Sequence, residues 1–413
     1  MKADTLLRNL RVTGRDEVVD IALSDGRIAA MAPGLVCEAV QEEDFAGAFA
    51  FPGFVETHIH LDKACILGRC RICEGTLAEA VAETTRAKAG FTVDDVHTRA
   101  TAVVEKAVLA GTTAMRTFVE VDPRVDLRSL EAILAVREAH ADQLDLQICA
   151  FAQEGTTQEP ATERLLEAAL AAGADLVGGC PYTDRDPAGH ISRLFDIATA
   201  HDVDLDFHID FDLDPTWNHL DLVIRETERR GRHGRVSVGH VTKLAMMAPA
   251  EVDAVAGRLA AVGIALTVLP ATDLFLTARD VAAGRPRGVA PAHRLAAAGV
   301  TTTVATNNVL NPFTPFGDVS LVRMANLFAN VAQIASDDEI SGVFDMVGAA
   351  AARLMGRRYG LEVGAPADVV VLDAPDAVSA VREIAPTLAG WKRGVKTFVR
   401  PKATLLAGPR RSS

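Results

Sequence analysis

The feature that most restricts what this chain can fold into is an alternation that runs through its middle. Short apolar runs recur at 51–59, 112–119, 144–151, 175–180, 203–209, 235–240, 263–269 and 300–306. Between most of them lie segments with helical periodicity, at 77–89, 93–110, 127–140, 163–172 and 191–201. Strand-length runs separated by helices specify parallel strands joined by crossover connections. Eight such strands close a (β/α)8 TIM barrel. A doubly wound open sheet is the alternative arrangement of the same units.

The two ends of the chain follow a different pattern. Residues 6–12 and 18–23, a Ser24-Asp25-Gly26 turn and residues 28–31 give short strands with a hairpin signal, and 367–372 and 397–406 return to that style. Neither end has enough strands to be stable alone. The expectation is therefore an α/β chain in which a TIM barrel at 51–354 is flanked by a small β-sandwich domain built from 1–50 plus 355–413.

Composition excludes several function classes. With 413 residues, 49% hydrophobic and 23% charged, there is material for one deep core and a smaller one. A net charge of −13 without a dense basic cluster argues against nucleic acid and anionic membrane partners. No apolar run reaches the roughly 18 residues of a membrane span, and Met1 to Val12 alternates polar with apolar residues, unlike a signal peptide. Six cysteines in so long a chain do not make a disulfide framework. Cys70 and Cys73 lack a second pair or a nearby histidine and read as ordinary thiols. These features fit a reducing, cytoplasmic location.

The chemistry concentrates at strand ends. In Pro52-Gly53-Phe54-Val55-Glu56-Thr57-His58-Ile59-His60-Leu61-Asp62-Lys63, His58 and His60 stand two residues apart, so a strand projects both to one face. At the mouth of a barrel they would reach one divalent ion. The fifth strand ends in Asp206-Phe207-His208-Ile209-Asp210 and the sixth in Val238-Gly239-His240. One histidine at a strand end is ordinarily a satisfied core residue. Three strands that all finish in histidine at the catalytic face are hard to attribute to packing, and neutral imidazole is a common ligand for zinc and also suits iron. The remaining histidines (97, 140, 190, 201, 219, 233 and 293) fall in helices or loops and read as solvated.

Together with Ala150–Gly155 (AFAQEG), Ala174–Gly179 (ADLVGG) and Thr306–Gly317 (TNNVLNPFTPFG), these motifs resemble the cytosine deaminase branch of the amidohydrolase superfamily over nearly the whole chain. The resemblance implies a mononuclear metal-dependent hydrolase that cleaves a C–N bond, by deamination or cyclic amide hydrolysis, of a pyrimidine, triazine or related ring. It carries His58, His60 and His208 over as ligands of one divalent metal, zinc or else iron, with His240 assisting the attacking water and Gln153 reading the ring. No lysine occupies 175–180, which disfavours a two-metal variant. A small heterocyclic substrate and a homo-oligomer are expected. The chain departs from the family's pattern twice. Asn307, followed by Asn308, stands where an Asp touches the metal and takes a proton, and Phe211 stands where a Glu shuttles protons. Neither replacement titrates, which leaves His240, Asp210 and Asp62 as candidate bases, His240 first. Asn307 remains both a candidate ligand and a candidate catalytic residue, while Phe211 and Asn308 become candidate substrate contacts. The alternative reading of the two losses is a catalytically decayed barrel that binds a metal or a ligand.

Overall fold

The computed structural model describes residues 1–406. Strands β1 (Lys2–Val12), β2 (Val19–Ser24), β3 (Arg27–Ala32), β4 (Glu38–Asp44) and β5 (Phe49–Phe51) come first. They are followed by β6 (Phe54–Ile59), β7 (Thr112–Glu120), β8 (Asp145–Ala152) and β9 (Leu176–Gly179). Next come β10 (Asp204–Ile209), β11 (Val236–His240), β12 (Ala265–Val268) and β13 (Thr302–Val304). The last three are β14 (Val369–Leu372), β15 (Thr387–Lys392) and β16 (Val395–Val399). The chain divides into two compact units, one spanning 54–359 and the other built from 1–53 and the residues from 360 onward.

The unit made from both ends is a mixed sheet in the order β16-β15-β14-β5-β1-β2-β3, with β4 also on β1. Strand β1 makes this possible through its length. It pairs with β2 and β4 along most of its course and with β5 at Arg11 and Val12. The two parts of the sheet share one core, in which Leu7, Leu10 and Ile21 meet Val369, Val371 and Trp391. The Asp25-Gly26 turn has positive φ at both residues, as a tight hairpin requires. Strand β4 escapes sequence reading because Glu38–Asp44 is largely exposed and acidic, and it is held by β1 through backbone pairing. The strand expected over 397–406 stops at Val399, and 400–406 are exposed without strand structure. Pro401 lacks the N–H that would continue the ladder.

The second unit is a parallel sheet in the order β13-β12-β11-β10-β9-β8-β7-β6. Sequential neighbours throughout exclude the doubly wound alternative, which would reverse the order. The ring closes where β6 meets the end of β13, through a parallel bridge between Ile59 and Asn307. There the Asn307 N–H donates to the His58 carbonyl at 2.7 Å and the His60 N–H to the Asn307 carbonyl at 2.9 Å. Two residues before His208 and on the same face, Asp206 pairs with Arg116 at 2.9 Å, so a buried ionic layer underlies the histidines. No helix among the described residues is long and apolar enough to cross a membrane.

Candidate active site

The strand ends of this barrel bring four imidazoles together. His58 lies near the end of β6, His60 just past it, His208 in β10, and His240 closes β11. Ring centroids stand 4.2 Å apart for His58–His208, 5.2 Å for His60–His208, 5.7 Å for His58–His60 and 5.5 Å for His208–His240. Ring nitrogens of His58, His208 and His240 all lie within 4.8 Å of one another, a set that does not include His60. The cluster depends on Gly239, since a Cβ there would sit 2.9 Å from His58 Cε1. Backbone strain also marks the site: His240 and Asn307 have φ of 72° and 64°, a region that non-glycine residues seldom adopt.

The donor set fits a metal ion. Both ring nitrogens of His58, Nδ1 of His60, Nε2 of His208 and Oδ1 of Asn307 are buried without a hydrogen-bond partner. A buried orphan of this kind is destabilising by roughly 1–3 kcal/mol, and a bound cation would satisfy several at once. Burial holds His58, His60 and His208 well below the usual imidazole range, so all three are neutral and their lone pairs are free.

His240 is set up differently. Its Nδ1 faces Asp273 Oδ1 at 2.7 Å, with Asp273 wholly buried. An Nδ1–H donated to that carboxylate leaves Nε2 with its lone pair. Nothing in the sequence identified Asp273, which lies on the helix Pro270–Leu276, 33 residues from its partner.

A small cavity opens beside the cluster, lined by His60, His208, His240 and Asn307, and also by Gln153, Phe211 and Asn308. The room inside it for the centre of a water-sized sphere is only about 10 Å³, far below the range for drug-sized ligands. Phe211 packs with Leu276 and Phe313 into an apolar wall, and its ring lies 4.3 Å from that of His240. Lys63 also lines the cavity.

Two candidate bases are placed elsewhere. Asp210 does not line the cavity: its carboxylate accepts from the N–H groups of His219 and Leu220 at 2.7 and 3.1 Å, capping a helix start. Its φ of 53° breaks the strand alternation that would have turned it inward beside His208. Asp62 is likewise committed, to the N–H groups of Lys63 and Glu120 at 2.8 and 2.9 Å. Three histidines expected in solvent, His140, His190 and His219, are buried. His190 Nδ1 lies 3.1 Å from Asp184 and 3.3 Å from Thr156, which satisfies that nitrogen, while Nε2 is buried without a partner. Cys70 and Cys73 belong to no metal-binding group among the described residues.

The model of the amidohydrolase family matches residues 74–408. The chain belongs to the amidohydrolase family. It is 27% identical over 403 residues to the N-isopropylammelide isopropyl amidohydrolase of Pseudomonas sp. (strain ADP), covering 95% of this chain and 96% of that one. Among solved structures it is similar to the 5-methylcytosine deaminase of Klebsiella pneumoniae liganded with 5-fluorocytosine. That similarity has a TM-score of 0.92 at 28% identity and covers 97% of this chain and 99% of the other. The N-isopropylammelide isopropylaminohydrolase of Burkholderia multivorans ATCC 17616 aligns with a TM-score of 0.84 at 32% identity, covering 95% and 98%.

Proposed function

We propose that this amidohydrolase cleaves a C–N bond of a small nitrogen heterocycle, by deamination or by opening a cyclic amide. The observation that carries the reading is His240, backed by buried Asp273 and facing a cavity also lined by the neutral imidazoles of His60 and His208, with His58 packed against His208. His58, His60, His208 and the Asn307 amide oxygen would hold one divalent ion, zinc or else iron. When bound, the ion supplies Lewis acidity to the scissile group and to water. His240 Nε2 accepts the proton of the attacking water and returns it to the departing nitrogen, while Asp273 steadies the imidazolium between the two transfers. Gln153 and Asn308 orient the ring, and Phe211, Leu276 and Phe313 keep bulk water out. No Asp or Glu is among the residues that line the cavity, and that observation favours the second reading, a barrel that binds a metal or ligand without turnover.

The test is elemental analysis of the purified protein alongside a turnover screen of pyrimidines, triazines, hydantoins and lactams. The expected result is about one equivalent of divalent metal, with chelator-sensitive release of ammonia or an amine, or ring opening, for one of these classes. A protein that turns over none of them, with metal or without, overturns the hydrolase reading.

A further inference from the structure

The cavity wall has a polarity that the hydrolase reading does not use. Lys63 is 2% exposed. Its Nζ lies 2.6 Å from Glu120 Oε1, 3.4 Å from Gln153 Oε1 and 4.5 Å from the centre of the Phe313 ring. An ammonium carries three N–H donors, and these two oxygens are its hydrogen-bond partners among the described residues, so one donor remains. Glu120 does not belong to Lys63 alone, because its other oxygen takes Lys88 at 2.8 Å.

The amides on the wall are turned the same way. Gln153 directs Oε1 toward Lys63, which leaves its Nε2 donors for the cavity. Asn308 Oδ1 accepts from Asn311 Nδ2 at 2.7 Å, which leaves the Asn308 amide nitrogen. The Thr272 hydroxyl is engaged with Thr314 at 2.6 Å. The unpartnered acceptors, Asn307 Oδ1 and the imidazole nitrogens, belong to the histidine cluster. Away from that cluster Lys63 and the two side-chain amides offer donors, one of them cationic and half-shared, the Thr272 and Tyr182 hydroxyls can serve either way, and no carboxylate lines the wall.

We infer that the cavity takes its substrate as an anion, a small oxo-heterocycle with an ionised carboxylate or ring group, whose negative oxygen meets Lys63 and the amide nitrogens of Gln153 and Asn308. The inference rests on the proposed function for the kind of ring bound, though the polarity of the wall stands apart from turnover. A neutral ring edge that offers N–H donors would face donors at Lys63, Gln153 and Asn308. An anionic edge offers lone pairs to all three, and a charge-assisted hydrogen bond is roughly twice as strong as a neutral one.

Calorimetric titration of the purified, metal-containing protein with matched pairs tests this: orotate against 6-methyluracil, and barbiturate against uracil. The anion of each pair is expected to bind at least about ten-fold tighter. In Lys63→Met that preference falls to about two-fold or less, and Lys63→Arg retains it. Because Lys63→Met leaves Glu120 short of a partner, two further variants keep the test decisive. Lys63→Met with Glu120→Gln removes both charges together and is expected to lose the preference. Gln153→Glu places a carboxylate beside an intact Lys63 and is expected to invert it. Equal or tighter binding of the neutral members by wild type, or a preference unchanged in Lys63→Met, in Lys63→Met with Glu120→Gln and in Gln153→Glu, overturns the inference. Titration needs no catalysis, so the two ideas fail separately. Anion preference without turnover sinks the hydrolase reading alone, and turnover of neutral rings without anion preference sinks this one alone.

Discussion

Replacing Asp273 by Asn tests the active-site reading at its most specific point. Asp273 Oδ1 faces His240 Nδ1 at 2.7 Å, and Oδ2 accepts from the Leu269 N–H at 3.2 Å. The carboxylate serves two donors, and an amide of the same shape cannot. If the Asn oxygen stays with Leu269, its NH2 group faces His240 Nδ1, which must then accept, so the proton moves to Nε2 and the nitrogen facing the cavity is no longer a base. If the amide flips, its NH2 group opposes the Leu269 N–H. A hydrogen bond to a charged group contributes about 1.5–3 kcal/mol, or roughly 10- to 150-fold at 1.4 kcal/mol per decade. The wrong tautomer adds the loss of general-base catalysis, itself about 100-fold or more. Asp273→Asn is therefore expected to lower kcat by about 100-fold or more, with KM changing less than about three-fold. Its melting temperature should stay within a few degrees, because the two side chains are isosteric. Steady-state kinetics on whichever heterocycle turns over, with metal content measured on the same samples, reads the result. Activity within about three-fold of wild type refutes the pairing. Loss of metal together with activity refutes the base assignment in another way, since His240 would then be a ligand, as the proximity of its ring nitrogen to His58 and His208 allows.

Other perturbations address the surrounding frame. Gly239→Ala pushes a methyl group against His58 Cε1, so bound metal, read by elemental analysis, should fall well below one equivalent while circular dichroism stays native; full occupancy contradicts the packing argument. Lys88→Met strips the ammonium that contacts Glu120, Asp122 and Glu154 at 2.8, 2.5 and 2.6 Å. Leaving those carboxylates short of a partner should destabilise by about 3–5 kcal/mol and lower the melting temperature on the order of 10 °C; an unchanged thermal scan would show the cluster to be dispensable. Asn307→Asp should tighten metal binding, because a carboxylate adds charge and a harder oxygen donor. Combined with Phe211→Glu, it should create deaminase activity only if the wild type is a decayed enzyme. Wild-type activity that disappears on Asn307→Asp marks adaptation to a neutral position instead.

The barrel and the histidines were legible because each rests on a local rule. Strand-length apolar runs between helices carry their own signal, and alternation along β6 dictates that His58 and His60 share a face. Gln153, Phe211 and Asn308 also reach the cavity. What escaped lies where local rules end. Alternation from His208 would send Asp210 into the mouth, but its left-handed backbone turns it to cap the following helix. Asp273 meets His240 through a tertiary contact between a helix and a strand, with no spacing to announce it. Lys63 stood in plain view in the first histidine motif, yet its Glu120 and Gln153 partners come from β7 and the end of β8. His190 looked like a surface helix residue because its compensating partner, Asp184, belongs to the preceding loop.

The closure of the barrel explains why so much of this chemistry gathers at one seam. Strands β6 and β13 do not form a full ladder; they meet through Asn307, whose backbone bonds both His58 and His60. Buried Glu56 reinforces the seam, accepting from the His58 N–H at 3.0 Å and from the Thr306 N–H at 3.1 Å. The residue that joins first strand to last therefore also aims an unpartnered amide oxygen at the histidines. Its left-handed φ is tolerated because Asn adopts that region more readily than most residues, and Asp shares the tendency. Exchanging Asn307 for Asp should thus change the charge at the metal position while leaving the seam intact. That separation makes the exchange a probe of chemistry, whereas a β-branched residue at 307 would strain the closure and confound any loss of metal with a loss of fold.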